Sequence, residues 1–247
     1  MVTYVVNMLK DVEKRLAIEA QLKLHPELNY RIWRAVEGRK LTENEQKEKV
    51  LPMFYTRYGT NATLPAIGCS LSHIAIYQDI VSSNTKYALV LEDDAILSEK
   101  LYLESLVKLL DVQDPVAILL TPEFWYKKNG DVFDIDQKHS VYELDNGFMT
   151  SGYLINYSAA KLLLSKIYPV QYTADAWSDF VGFGLNLYGI VPHVISYPDG
   201  RGEIGKSQIV PKSTFLKMRA FAVWCYVRIL NFKKYINGNR KSKKIWR

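Results

Sequence analysis

Two apolar patterns alternate along the chain. Residues 87–91 and 116–120 are continuous apolar or aromatic runs, which predicts strands buried on both faces inside an α/β sheet. Further strands are expected at 3–6 (ending at Asn7), 30–36 (closed by Glu37-Gly38), 152–156 and 190–196, with a short one at 141–144. Helical spacing fills the gaps. Asp11 is placed to cap a helix to about Leu24, with Leu16, Ala20 and Leu24 (or Val12, Leu16 and Glu19) as its inner side. Thr42 and Glu45 have capping-box spacing and open a short charged helix. Residues 68–81 read as a helix with Leu71, Ile74, Ala75, Gln78 and Val81 on its apolar face. Ser98 is a candidate cap for a helix buried through Leu101, Leu103, Leu106, Val107 and Leu110, and Ser158 for one running to Ile167. Residues 51–67 hold two prolines, Gly59 and several aromatics, and read as a surface excursion; 172–187 reads as a loop with a short helix. Strands alternating with helices predict an α/β fold. No internal repeat or linker divides the body.

Composition adds little until the charge is split by position. The whole chain carries +6, but residues 211–247 hold eleven Lys/Arg and no acid, leaving 21 basic and 26 acidic residues and a net −5 for the rest. A mildly acidic globule over 1–210 with a basic, aromatic tail over 211–247 is therefore expected, which is not the charge pattern of a nucleic-acid binder. The two cysteines, Cys69 and Cys225, have no metal-ligand spacing and fit a reducing compartment. The opening MVTYVVNMLKD lacks a charged n-region and has too short an apolar run for a signal peptide, so a cytoplasmic location is expected.

Chemistry concentrates at the end of the 87–91 strand, where Glu92, Asp93 and Asp94 follow without a spacer. Adjacent carboxylates at a buried strand end repel one another and are costly to desolvate unless a positive charge sits among them. Strand carboxyl ends are also where open α/β sheets bind ligands. A hard cation, Mg²⁺ or Mn²⁺, holding a phosphate-bearing ligand meets both conditions; a solvated acidic turn is the plain alternative. Neighbouring residues on an extended chain face opposite ways, so two of these carboxylates do not flank one bond as an acid–base pair. A phosphatase is disfavoured, because no Asp-x-Asp-x-Thr motif is present.

Gly68-Cys69-x-Leu71-Ser72-His73, then Ala88 through Leu91 with Glu92-Asp93-Asp94, then Gly152-Tyr153-Leu154-Ile155 before Ala160-Lys161 resembles glycosyltransferase family 25. Val5-Val6-Asn7 with Arg15, Ala35-Val36-Glu37-Gly38 and Ser207-Gln208-Ile209 fall in the family's order, although Asp-Gly is commoner than Glu37-Gly38. The resemblance covers roughly residues 3–210. It implies a GT-A-like, Rossmann-type mixed sheet flanked by helices. It also implies inverting transfer of galactose from UDP-galactose to a lipooligosaccharide, LPS or capsular glycan acceptor. Glucose or an N-acetylhexosamine as the donor sugar, and a non-catalytic glycan-binding subunit on the same fold, are the rivals. Glu92-Asp93-Asp94 would stand in for the metal motif, Asp94 as the direct Mn²⁺ or Mg²⁺ ligand beside Glu92, with His193 as a further ligand. Asn7, Gly38, Ser72, His73, Glu92 and Asp93 would line the UDP-sugar site, and Asp175 or Asp179 would be the base for the acceptor hydroxyl. Without the family, His73 reads as a core or capping residue, and Trp125, Trp177 and Tyr153 either stack on sugars or belong to the core.

The tail mixes aromatics such as Phe221, Trp224 and Tyr235 with Lys217, Arg219, Arg228, Lys233 and Lys234. Its longest uncharged run, 220–227, is far short of the ~20 residues that span a bilayer. A basic amphipathic helix on an anionic membrane, holding the protein at the inner face of the cell membrane, is expected; a helix packed on the body is the alternative.

Overall fold

Three parallel strands form the edge of the sheet that carries the acidic cluster. In the computed structural model, which describes residues 1–198 and 240–241, β1 (Val2–Asn7) lies between β2 (Asn29–Arg34) and β3 (Tyr87–Glu92), with Val6 opposite Glu92 and Asn7 opposite Arg34. The helix α1 (Val12–Leu22) joins β1 to β2, and α2 (Glu43–Lys49), α3 (Pro52–Tyr58) and α4 (Leu64–Ser82) lead to β3. A short β4 (Ile96–Leu97) and α5 (Leu103–Leu110) follow, then β5 (Val116–Leu119), β6 (Phe124–Tyr126), β7 (Val132–Asp134), β8 (Ser140–Gly147) and β9 (Gly152–Asn156). The helices α6 (Tyr157–Ile167) and α7 (Trp177–Gly182), β10 (Asn186–Val191), β11 (Ile195–Ser196) and β12 (Arg240–Lys241) complete the described elements.

The strand order is β12-β6-β8-β10-β5-β9-β3-β1-β2, with β7 on β8, while β11 pairs with β4 in a separate ribbon. β9 is the pivot of the mixed sheet. It runs antiparallel to both β3 and β5, and β10 is again parallel to β5. The α/β mixed sheet flanked by helices is thus the architecture expected.

Strand alternation sorts the core into two layers. On β3, Ala88 and Val90 join the layer that packs with α4, α6 and α7, whereas Leu89 and Leu91 join the layer under α1 and α5. All four are fully buried; each large aliphatic side chain stabilises the fold by about 1.5–3 kcal/mol. Burial on both faces is what makes the run continuous.

Several local expectations are corrected. The helix α1 stops at Leu22 and buries Ile18 and Leu22, leaving Val12, Leu16 and Leu24 exposed, and Asp11 makes no side-chain cap bond. Residues 51–67 are no surface excursion: they hold α3 and the first turn of α4, and Phe54, Ala62 and Ile67 are core. Thr63 caps α4 by accepting from the Ala66 N–H at 3.2 Å. This helix is buried on more than one side, while Gln78, expected to face inward, is exposed. The N-cap of α5 is Tyr102, in the left-handed region at φ 56°, and not Ser98, whose N–H bonds the Val194 carbonyl of the β11 approach. The helix α6 is capped by Asn156, not Ser158. The final run from 190 to 196 divides into β10 and β11 around Pro192 and His193. The capping box of α2 is as expected, both bonds between Thr42 and Glu45 being formed. The Ser207 motif, the 210/211 boundary and the basic tail lie outside the described residues, apart from the backbone of β12. No described helix is long and apolar enough to cross a membrane.

Candidate active site

At the carboxyl ends of β1 and β3 a cavity of about 490 Å³ opens between α1, the 35–39 segment and α4. Its floor is Glu92, Asp93 and Asp94, and its far side is Met149, Thr150 and residues 173–175. Gly38, Ser72, His73 and Asp175 line it with the acidic cluster; Asn7, Asp179 and His193 do not.

The Gly-Cys-x-Leu-Ser-His stretch of α4 works through two stripes of i, i+4 neighbours. One stripe holds the 36–38 backbone. Ser72 Oγ accepts from the Val36 N–H at 2.8 Å and donates to the Gly68 carbonyl at 2.7 Å. Gly68 and Gly38 meet face to face: a Cβ on Gly38 would lie 1.8 Å from the Leu64 oxygen, and one on Gly68 would lie 2.5 Å from the Val36 oxygen. The glycines are required for this approach of loop to helix. The second stripe, Cys69 and His73, faces Glu92. His73 is 1% exposed, its Nε2 is 3.7 Å from Glu92 Oε1, and its Nδ1 is hydrogen-bonded to the Tyr153 hydroxyl at 2.8 Å. Tyr153 in turn meets the Tyr77 hydroxyl at 3.0 Å.

The three carboxylates take three directions. Glu92 turns to α4 and accepts a hydrogen bond from the Thr150 hydroxyl. Burial pushes Glu92 up, but His73, the Thr150 hydroxyl and Lys14 together leave it below the usual carboxylate range. Asp93 turns to the end of β1 and to α1: Asn7 Nδ2 of β1 donates to Oδ2 at 2.7 Å, and Lys14 Nζ of α1 lies 3.5 Å from Oδ1. Asn7 therefore positions Asp93 from behind, rather than lining the donor cavity as expected. Asp94 is left facing the cavity with Oδ1 buried and without a hydrogen-bond partner. Burial, then the charge of Glu92, pushes its carboxyl up to about 6.

This pattern fits a hard divalent cation. An unpartnered buried carboxylate oxygen among like charges is the environment that a bound positive ion relieves. Asp94, with Glu92 in the same cavity, would hold it, and the ion would supply Lewis-acid stabilisation of a departing diphosphate. His193 packs its ring edge-on against Phe124 at 5.3 Å, apart from this group. Asp179 is 3.2 Å from Arg57, whose guanidinium also lies over the Tyr172 ring. Tyr153 and Trp177 are fully buried and belong to the core, so they are not sugar-stacking platforms. The Trp177 indole N–H donates to the Met149 carbonyl at 3.0 Å and so ties the segment after Asp175 to the far side of the cavity.

The family model for glycosyltransferase family 25 (LPS biosynthesis protein) matches residues 1–178, most of the chain. The chain belongs to glycosyltransferase family 25. Among relatives of this family 25 glycosyltransferase, R655 of Acanthamoeba polyphaga mimivirus, named as a glycosyltransferase, is 24% identical over 201 residues, 77% of the chain and 60% of R655. Human procollagen galactosyltransferase 2 is 26% identical over 146 residues, 56% of the chain and 23% of the human protein. The chain thus spans less than two thirds of the length of these relatives. Among solved structures, the galactosyltransferase LgtC, in complex with donor and acceptor sugar analogs, is similar at 11% identity and a TM-score of 0.39, over 89% of this chain and 100% of LgtC.

Sequence reasoning missed Lys14, Cys69 and Thr150 as members of the site. The i, i+4 spacing of Cys69 and His73 was available as a signal. Lys14 and Thr150 had none, because their positions depend on how α1 and β9 dock beside β3.

Proposed function

We propose that this glycosyltransferase moves galactose from UDP-galactose, with inversion, to a hydroxyl of an oligosaccharide or lipid-linked glycan of the lipooligosaccharide, LPS or capsular kind. One observation carries the reading: Asp94, whose buried Oδ1 has no hydrogen-bond partner, lines the same cavity as Asp175. The procollagen galactosyltransferase relatives support galactose as the sugar. Asp94 and Glu92 would hold Mn²⁺ or Mg²⁺, whose chemistry is charge stabilisation on the diphosphate.

The remaining work falls to the chain's own groups. Asp175 takes the proton from the acceptor hydroxyl; Asp179, engaged with Arg57 outside the cavity, is the poorer candidate. The 36–38 backbone, held by Ser72, forms the wall against which the nucleoside rests, and Gly38 keeps that wall flush with α4. Lys14 lies close enough to Asp93 to offset the negative charge that would otherwise repel a diphosphate. The basic segment 211–247 attaches the protein to the anionic inner face of the cell membrane; its charge count supports this.

Release of UDP from a panel of UDP-sugars, with Mn²⁺ and glycan acceptors, tests the reaction. Turnover with UDP-galactose is expected, and absence of turnover with every UDP-sugar would sink the proposal. Asp94→Ala is expected to abolish metal-dependent UDP binding in calorimetry. Truncation before Pro211 should reduce partitioning into anionic vesicles, and unchanged partitioning would remove the membrane role.

A further inference from the structure

The second stripe of α4 brings together donors that a hard cation does not select. Cys69 Sγ, a His73 ring nitrogen and a Glu92 oxygen all lie within 4.8 Å of one another. No other group of three or more such ligands is present among the described residues. His73 is buried, and its Nε2 has no hydrogen-bond partner, the 3.7 Å to Glu92 being too long for one. We propose that Cys69, His73 and Glu92 form a binding site for a thiolate-accepting divalent cation, zinc in the first place, which shares Glu92 with the hard-cation position centred on Asp94.

The donor set is sulfur, nitrogen and oxygen, which zinc takes at three corners of a tetrahedron; magnesium and manganese prefer all-oxygen shells. The N to O separation of 3.7 Å is close to an edge of such a tetrahedron, and the Cys69 sulfur, within 4.8 Å of both atoms, closes on them by a side-chain movement. Zinc-ligating histidines are oriented by a hydrogen bond from the other ring nitrogen. His73 has that partner in Tyr153, which is itself fixed by Tyr77. All three ligands line the cavity, so the fourth corner opens toward it and is available to water or an anionic oxygen. On binding, the Cys69 thiol becomes a thiolate and its proton leaves to solvent. The site does not depend on the glycosyl-transfer reading.

The test uses the metal-stripped full chain titrated with Co²⁺ and then Zn²⁺. A thiolate-to-cobalt charge-transfer band is expected, displaced by Zn²⁺ and not by Mg²⁺. Cys69→Ser should lose the band and bind Zn²⁺ at least tenfold more weakly, whereas Asp94→Asn should keep the band. Tyr153→Phe, which retains all three ligands, should keep the band with affinity reduced by about 10- to 100-fold. Should Cys69→Ser fail to fold, alkylation of Cys69 in the wild-type chain, mapped by peptide mass, gives the same answer: Zn²⁺ should slow it and Mg²⁺ should not. Cobalt binding without the band, a Cys69→Ser variant of unchanged affinity, or Cys69 alkylation indifferent to Zn²⁺ would each overturn the proposal.

Discussion

Glu92 and Asp94 are two residues apart, yet they sit on walls of opposite character. Glu92 is answered by an imidazole from His73 of α4 and by a hydroxyl from Thr150 just before β9, which leave its carboxyl below the ordinary range. The outer floor gives Asp94 no hydrogen bond at Oδ1, and burial beside Glu92 pushes it up to about 6. The same chemical group is settled on one wall and stressed on the other. Stability sits mainly with the settled group, and the stronger demand for a cation comes from the stressed one.

Substitutions separate the two walls. The largest effect is expected for Asp175→Asn, which faces the stressed floor. Turnover should fall by about 10²- to 10⁴-fold with UDP binding retained, while Asp179→Asn stays near wild type. Equal losses for the two in single-turnover kinetics would reassign the base. Next is Gly38→Ala, whose added Cβ meets backbone rather than a flexible side chain. A loss of about 3 kcal/mol in denaturant unfolding is expected, because the loop must leave α4. Glu92→Gln should cost about 1–3 kcal/mol through the unsettled His73 and Thr150, read as a lower Tm of the metal-free protein. Ser72→Ala, which strands the Val36 N–H, should cost about 1 kcal/mol. The smallest effect has the opposite sign. Asp94→Asn relieves like-charge repulsion and should stabilise the metal-free protein at pH 7 by about 0.5–1 kcal/mol. Destabilisation by Asp94→Asn would erase the contrast.

How much of this the sequence showed depends on what each feature is made from. The β3 strand was legible because burial on both faces writes a continuous apolar run, and Thr42 with Glu45 because a capping box is local. The inner side of α1 was misread: the sheet docks on Ile18 and Leu22, and the chain alone does not say which stripe it will choose. The extent of α4 was hidden because a helix buried on several sides loses its period. At the site, the acidic triplet was plain, as were His73, Ser72 and Gly38. The opposite fates of Glu92 and Asp94 were not, since they come from β9, which brings Thr150 and Tyr153 beside β3 from some sixty residues later. His193 was chosen for its residue type and its place near the end of the body, and neither says which way a ring turns.

The meeting of Gly38 with Gly68 has a mechanical consequence. One jaw of the cavity is already shut against its backing, with backbone on backbone and no compressible side chain between them. That jaw serves as an anvil. Any narrowing of the cleft around a bound donor must then travel from the other side, where Met149 holds a left-handed φ of 68° and Trp177 links it to the Asp175 segment.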